Sequence, residues 1–323
     1  MDSRVSRSTA LHSASPAYSV EFERVTKRFE SVTAVDDLSF QIPEASIYGL
    51  IGPNGSGKTT TMRMITGIFL PDSGQVRVFG AKFSSRLLGS IGYLPEERGI
   101  YKKMTIRALL RFHAQLRGIS NVAAQVDEWL ERLGLGHLAL NPVETLSKGM
   151  TQKVQFIAAA IGEPKLMILD EPFSGLDPVS SEAIRDAILE LRRNGATIVL
   201  STHDMDAAEQ MCERILMIFR GRKVLDGKLV DIQEGYGKDT IRISAENSAA
   251  CVAGLPDVEQ IRDFGQMQEV RLARDSDPQA FLQTLLARTR VSSFSIARPS
   301  LKDIFIRIAS NDAVVDGAEV VSA

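Results

Sequence analysis

Nine consecutive residues, Gly52, Pro53, Asn54, Gly55, Ser56, Gly57, Lys58, Thr59 and Thr60, carry the densest chemistry in the chain. They contain the spacing G-x-x-x-x-G-K-[ST], with Gly52, Gly57, Lys58 and Thr59 at its fixed positions. Glycines let successive backbone N–H groups turn inward around phosphate oxygens, in conformations that other residues rarely adopt. A helix beginning at the loop's end adds its dipole, Lys58 adds a point charge, and the Thr59 hydroxyl is a ligand for Mg²⁺. This is chemistry for holding a polyphosphate.

Two further segments offer groups that could act on such a phosphate. LMILDEP is an apolar run ending in Asp170 and Glu171. The first carboxylate can organise Mg²⁺, commonly through water, and the second can polarise an attacking water. ATIVLSTHD places His203 just beyond another apolar run, where an imidazole N–H can reach a terminal phosphate.

These residues need elements to position them. IYGLIG reads as a buried strand, and TTTMRMITGI after the glycine loop reads as a helix, giving the order strand, phosphate loop, helix. Tyr18 to about Val25 and Leu38 to Ile42 are strand-like. From Met104 to about Gly134 the period becomes helical, and a third helix is expected from near Ser147 through KVQFIAAAI. LMILDE and ATIVLST then flank the helix SSEAIRDAILELRRNG. Fully apolar strands alternating with helices predict an α/β fold with a mixed, largely parallel sheet, with an antiparallel piece at its N-terminal end.

After GRKVLDGKL the texture changes to short strands (TIRIS, VEQIRDF, QEVRLAR, Val291 to Ala297) and helices over Pro278–Arg288 and Leu301–Ala309. A small α+β domain is expected there. The expected organisation is a tail over 1–18, a core domain over 19–235 with a helical subdomain at about 98–162, an accessory domain over 236–310, and a tail over 311–323.

Composition narrows the function classes. Lys and Arg number 38 against 40 Asp and Glu, a formal net charge of −2, so no global field drives the chain toward nucleic acid or anionic lipid. Two cysteines, Cys212 and Cys251, exclude a disulfide framework and a cysteine metal cluster. No apolar run approaches the roughly 18 residues a spanning helix needs. The Ser-rich N-terminus lacks the apolar stretch of a secretory signal, so a cytosolic, peripheral location is expected.

Over roughly Ser19 to Val230 the chain resembles the ATP-binding subunit of ABC transporters. The phosphate loop, LSKGM (Leu146–Met150), LMILDEPFSGLDP and STHD stand in that family's order. The resemblance implies ATP and Mg²⁺ as ligands. It places Lys58 on the β/γ-phosphates, Thr59 and Asp170 on the metal, Glu171 as general base and His203 on the γ-phosphate. Asp177, ending SGLD, matches a loop at the dimer interface, and Phe29 falls where the family stacks a ring on adenine. Ser147 and Gly149 match the pair that reaches the γ-phosphate held by a second subunit. The implied partners are a second copy of the chain and a multi-spanning permease, on the cytoplasmic face of the membrane; no nucleic acid is expected.

Two positions depart from the family pattern. LSKGM replaces the usual LSGGQ, so Lys148 adds a positive charge and Met150 removes an amide. In IGYLPEERG, Glu96 occupies a glutamine position that contacts the metal; a carboxylate still ligands Mg²⁺ but adds negative charge beside the phosphates. PEERG and PSLKDIF (Pro299–Phe305) are similar to segments of export-type members, which implies export of an unidentified substrate. The alternative is a soluble ABC-type ATPase acting on ribosomes or nucleic acid. Such relatives usually carry two cassettes or long coiled coils, and this chain has one cassette and no heptad run.

Overall fold

The computed structural model describes residues 18–96, 99, 101–236, 239–245, 252, 254–255, 257–273 and 276–315, with side chains to Ala309 in the last helix. The chain divides into two compact units. The first holds the segment ending at Tyr48, Asn54–Ser201 and Phe219–Arg222; the second holds Gly49–Pro53, Thr202–Ile218 and everything from Lys223.

In the first unit, β1 (Tyr18–Phe29) pairs antiparallel with β2 (Val32–Pro43) and with β4 (Ser73–Val78), in the order β2-β1-β4. Both long strands outrun their predicted lengths, because their outward positions carry Glu21, Glu23, Lys27 and Asp37, which break the apolar signal. The inward set, including Phe22, Val35, Leu38, Phe40 and Ile42, is buried. Phe22 stacks on Phe40 at 4.5 Å, and Phe40 on Tyr48 of β3 (Ile47–Ile51) at 6.1 Å. This sheet is the antiparallel piece expected at the N-terminal end.

A parallel set supports the chemistry. β5 (Ile91–Leu94), β6 (Leu166–Asp170) and β7 (Thr197–Thr202) lie side by side with Leu94 opposite Leu169 and Asp170 opposite Ser201. β6 and β7 are buried at every position, as strands covered on both faces must be. The α/β class read from the sequence is the class observed. β4 and β5 had no expected counterpart, being short and, in β4, interleaved with polar residues.

The helical region consists of α2 (Ile106–Leu116), α3 (Ala123–Arg132) and α4 (Lys148–Ala160). Thr105 caps α2, and Ile106, Leu109, Leu110 and Ala114 form its buried stripe at helical spacing. Trp129 of α3 meets Phe156 of α4 edge-on at 5.9 Å, so the single tryptophan serves packing. α5 (Pro178–Arg193) follows β6 and carries proline at its first position.

In the second unit, α6 (Met205–Met211), β8 (Arg214–Phe219), β9 (Arg222–Lys228) and α7 (Leu229–Gly235) precede a four-stranded antiparallel sheet. Its order is β11-β12-β10-β13, from β10 (Thr240–Ala245), β11 (Val258–Asp263), β12 (Gln268–Leu272) and β13 (Val291–Ala297). One face buries Ile241, Ile243, Val270 and Leu272 with Phe281 and Leu285 of α8 (Pro278–Leu286). The strand alternation sends Arg242, Glu269 and Arg271 to the other face. The last helix, α9, spans Leu301–Val315 and so runs past the boundary expected at residue 310, no glycine or proline interrupting it. Tyr18 likewise belongs to β1 rather than to the expected tail. The rest of that tail, 1–17, and residues 316–323 lie outside the described residues, as do Arg98 and Cys251.

Candidate functional site

The phosphate loop leaves β3 at Ile51 and enters α1 at Lys58, which runs to Ile65. Gly57 caps α1 with φ +109°, a conformation that disfavours any side chain. A Cβ there would also stand 2.4 Å from the Ala34 carbonyl oxygen of β2. The Gly57 carbonyl accepts from Thr61 N at 2.9 Å, closing the first turn. No side chain caps α1, which leaves its leading N–H groups open to a phosphate. Asn54 and Gly55 are exposed at the tip, Thr59 and Thr60 half-buried, and Ser56 buried with its hydroxyl unpartnered.

Lys58 is buried among acids. Burial pulls its pKa below the ordinary value, and the charges of Glu171, Asp170 and Glu96 act against that fall, in decreasing order. An ammonium placed near these carboxylates suits the oxygens of a phosphate.

Asp170 ends β6, where it is 1% exposed. Burial pushes its carboxyl up; hydrogen bonds from Ser201 and Thr59 pull it back toward the anion. Ser201 Oγ donates to Oδ1 at 2.5 Å, and Oδ2 is buried with no hydrogen-bond partner. An unpartnered buried carboxylate oxygen beside a threonine hydroxyl fits a hard divalent cation or its water.

Glu171 follows at φ +48°, an uncommon conformation for a residue with a side chain. Its N–H is held by the Ser201 carbonyl and hydroxyl, both at 3.2 Å, and its carbonyl accepts from Ser174 N at 3.1 Å. The strand's alternation therefore ends at Glu171, which stays buried. Ser201 pins both acids, a role the sequence reading missed. Its signal was available in the register of two apolar strands ending together.

A second cluster forms around the start of α4. Ser147 is its N-cap, accepting from Met150 N at 3.3 Å. Gly149 lies in the first turn, where a Cβ would be 3.7 Å from Asp177 Oδ2 and from Ser180 Oγ. A Cβ at Gly175 would come within 2.2 Å of Lys148 Nζ, so the lysine lies across the SGLD loop. Asp177 caps α5 by accepting from Ser180 N at 2.9 Å, and its hydrogen bonds to Ser180 hold its carboxyl below the ordinary range. That capping duty was also missed, although Asp-Pro before a helix announces it. Met150, at 37% exposure, shows apolar surface beside this cluster.

Phe29 is 39% exposed at the end of β1 and makes an edge contact with Phe69 at 5.1 Å, so it is not a core residue. Glu96 is exposed two residues past β5 and near enough to act on Lys58. The structure thus brings together Lys58, Thr59, Asp170, Glu171 and Glu96, and separately Ser147, Gly149 and Asp177. Gly52, Pro53 and His203 belong to the second unit, with His203 exposed one residue after β7.

A family model described as "ABC transporter" matches residues 35–174, and one described as "ATP-binding protein DrrA1-3-like, C-terminal domain" matches 227–309. Bacillus subtilis (strain 168) YhaQ, named an uncharacterized ABC transporter ATP-binding protein, is 37% identical over 286 residues, covering 88% of this chain and 96% of that one. The chain belongs to the ABC transporter ATP-binding proteins.

The Nod factor export ATP-binding protein I of Ralstonia nicotianae is 30% identical over 311 residues, covering 93% of this chain and 95% of its own. Among solved structures, an ATP binding subunit of an ABC transporter superposes with TM-score 0.64 at 30% identity, over 67% of this chain and 92% of that one. This ABC subunit binds ATP and is an ATPase, and the clustered Lys58, Asp170 and Glu171 are the groups such chemistry asks for.

Proposed function

We propose that the chain powers export of a substrate through a separate membrane permease, as one of two identical ATP-binding subunits. The observation that carries the ATPase mechanism is the buried Lys58 at the start of α1, acted on by the charges of Glu171 and Asp170. The loop from Gly52 to Thr60 wraps the phosphates, Lys58 bridges the β and γ groups, and Phe29 offers its exposed ring to the adenine. Thr59, Asp170 and Glu96 would hold Mg²⁺, which would neutralise phosphate charge. Glu171 takes a proton from the attacking water as the bond from the γ-phosphorus to the ADP oxygen breaks. His203 donates to the γ-phosphate. Catalysis is then positioning and electrostatics rather than covalent chemistry.

Ser147 and Gly149 of a second copy complete each site. In support, the start of α4 exposes Ser147, Lys148 and Met150. Lys148 adds a cation there, offsetting the lost amide of the usual glutamine. Loss of the γ-phosphate removes the shared ligand and shifts the pair toward its open state.

The permease reading rests on a groove of about 270 Å³ beside β5 and α2, lined by Ile68, Phe83, Leu88, Tyr93, Leu109 and His113 among others. Ile68 and Leu88 are 56% and 43% exposed, an apolar rim for a helix of another protein. No described helix is long and apolar enough to cross a membrane, which fits peripheral attachment at the cytoplasmic face through that partner. Export is supported by the PEERG and PSLKDIF segments and by the printed name of the Nod factor relative. The same reading assigns 19–235 to the nucleotide-binding domain, with its helical subdomain at about 98–162, and 236–310 to the accessory domain. Two separate family matches, over 35–174 and 227–309, support two domains, the second match beginning nine residues before that boundary.

The test is purification from the native membrane fraction in mild detergent. A copurifying multi-spanning protein that raises ATP hydrolysis supports the proposal. Recovery of ribosomes or nucleic acid alone overturns the transport reading and leaves the ATPase intact.

A further inference from the structure

The segment PSLKDIF has a structural role that reaches beyond its own domain's core. Ser300 and Asp303 form a reciprocal cap on α9: Asp303 N donates to Ser300 Oγ at 3.1 Å, and Ser300 N to Asp303 Oδ2 at 3.3 Å. Asp303 also pairs with Arg262 of β11, tying the cap to the sheet. One leading N–H of α9 is satisfied from outside the helix: Leu301 N donates to Glu209 Oε1 of α6. A carboxylate at a helix N-terminus is favoured both by that bond and by the dipole.

Other contacts grip the same segment. Gln233 of α7 donates to the Pro299 carbonyl at 3.3 Å, and Arg298 pairs with Glu234 at 2.9 Å. Leu301 and Ile304 are fully buried. α6 is therefore held from the C-terminal domain, and α6 is the helix that begins two residues after His203. Asp204 caps it, accepting from Asp206 N and Ala207 N at 3.0 and 3.1 Å, while Asp204 N donates to Thr202 Oγ1 at 2.9 Å. His203 sits between Thr202 and Asp204, so its backbone moves with α6.

We propose that Glu209 is a positioning residue for His203, and that the C-terminal domain sets the histidine's placement through the Glu209–Leu301 bond. The inference rests on the proposed contact of His203 with the γ-phosphate. It gives the accessory domain a part in turnover without requiring any ligand of its own. Buried Ala208 and Met211 anchor the short α6 as well, but a small misplacement of a catalytic group costs up to about 100-fold in rate.

The test is a double-mutant cycle on the full chain, with ATP turnover and melting temperature as readouts. Glu209→Ala is expected to lower kcat about tenfold with the KM for ATP nearly unchanged. Glu209→Gln keeps an acceptor oxygen and is expected to restore most of the rate. In a His203→Ala background, Glu209→Ala is expected to add no further loss of kcat while shifting the melting temperature as it does in the wild type. Multiplying losses in the double variant, or full turnover in Glu209→Ala, would overturn the proposal. Full turnover in His203→Ala alone would instead overturn the histidine's own assignment.

Discussion

Ser201 Oγ donates to Asp170 Oδ1 at 2.5 Å across the β6–β7 pairing, where the two residues stand directly opposite each other. The same hydroxyl, with the Ser201 carbonyl, receives the Glu171 N–H. One serine therefore fixes a buried carboxylate and the backbone of the carboxylate after it. Ser201→Ala removes the donor and leaves a buried charge less satisfied, a cost of about 1–3 kcal/mol. Thermal unfolding is expected to show that loss, and ATP turnover is expected to fall by about tenfold or more. Wild-type turnover in the variant would detach Ser201 from the chemistry.

Gly57 is predicted to tolerate no side chain. Its φ of +109° is strained for alanine, and the added Cβ would meet the Ala34 carbonyl oxygen at 2.4 Å. Backbone cannot step aside as a flexible side chain would. Gly57→Ala should cost about 1–3 kcal/mol and displace the N–H groups that turn toward phosphate. Titration with a fluorescent ATP analogue is expected to show affinity lowered at least about tenfold, and unchanged affinity would refute this use of the loop.

If the apolar groove seats the permease, basal and coupled activity separate at its rim. Leu88 lines the groove and is 43% exposed. Leu88→Asp is expected to leave the isolated chain's ATP turnover unchanged while abolishing its stimulation by the copurified membrane partner. Measuring hydrolysis with and without that partner tests this. Equal stimulation of both proteins would place the docking surface elsewhere.

Glu209 also makes a pH prediction. Burial pushes its carboxyl above the ordinary 4.5, opposed by the Leu301 N–H, while Asp206 and Asp303 raise it further and Arg242 lowers it. A carboxyl raised in the folded state binds its proton more readily there than in the unfolded chain. Its ionised form thus costs stability above the folded pKa, and that cost is relieved as pH falls toward 4.5. Glu209→Gln is expected to melt higher than wild type at pH 7, with the gap closing as pH falls through that window. A gap that widens on acidification would contradict the sign.

Much of this site could be read from residue order because its parts are local. A phosphate loop is a strand end, a turn and a helix start, and all three leave marks within nine residues. Asp170 and Glu171 announce themselves at the end of an apolar strand for the same reason. What stayed hidden was whatever depends on two distant segments meeting. Ser201 acts on Asp170 through strand register, the Ala34 carbonyl closes on Gly57 from β2, and Glu209 meets Leu301 across 92 positions. The exposure of Phe29 likewise depends on where β1 ends, which leaves its ring 39% exposed. β1 and β2 were read short because salt-bridging outward residues dilute their periodicity; Lys27–Asp72 and Arg77–Glu23 are two such pairs.

The most direct test of the account is Glu171→Gln, measured for ATP binding and ATP turnover on the same protein. The substitution keeps size and hydrogen bonding but removes the base, so binding should persist while turnover falls by about 100-fold or more. ATP should then accumulate unhydrolysed on the protein. Turnover near the wild-type rate would contradict the central claim that the carboxylate after Asp170 activates the attacking water.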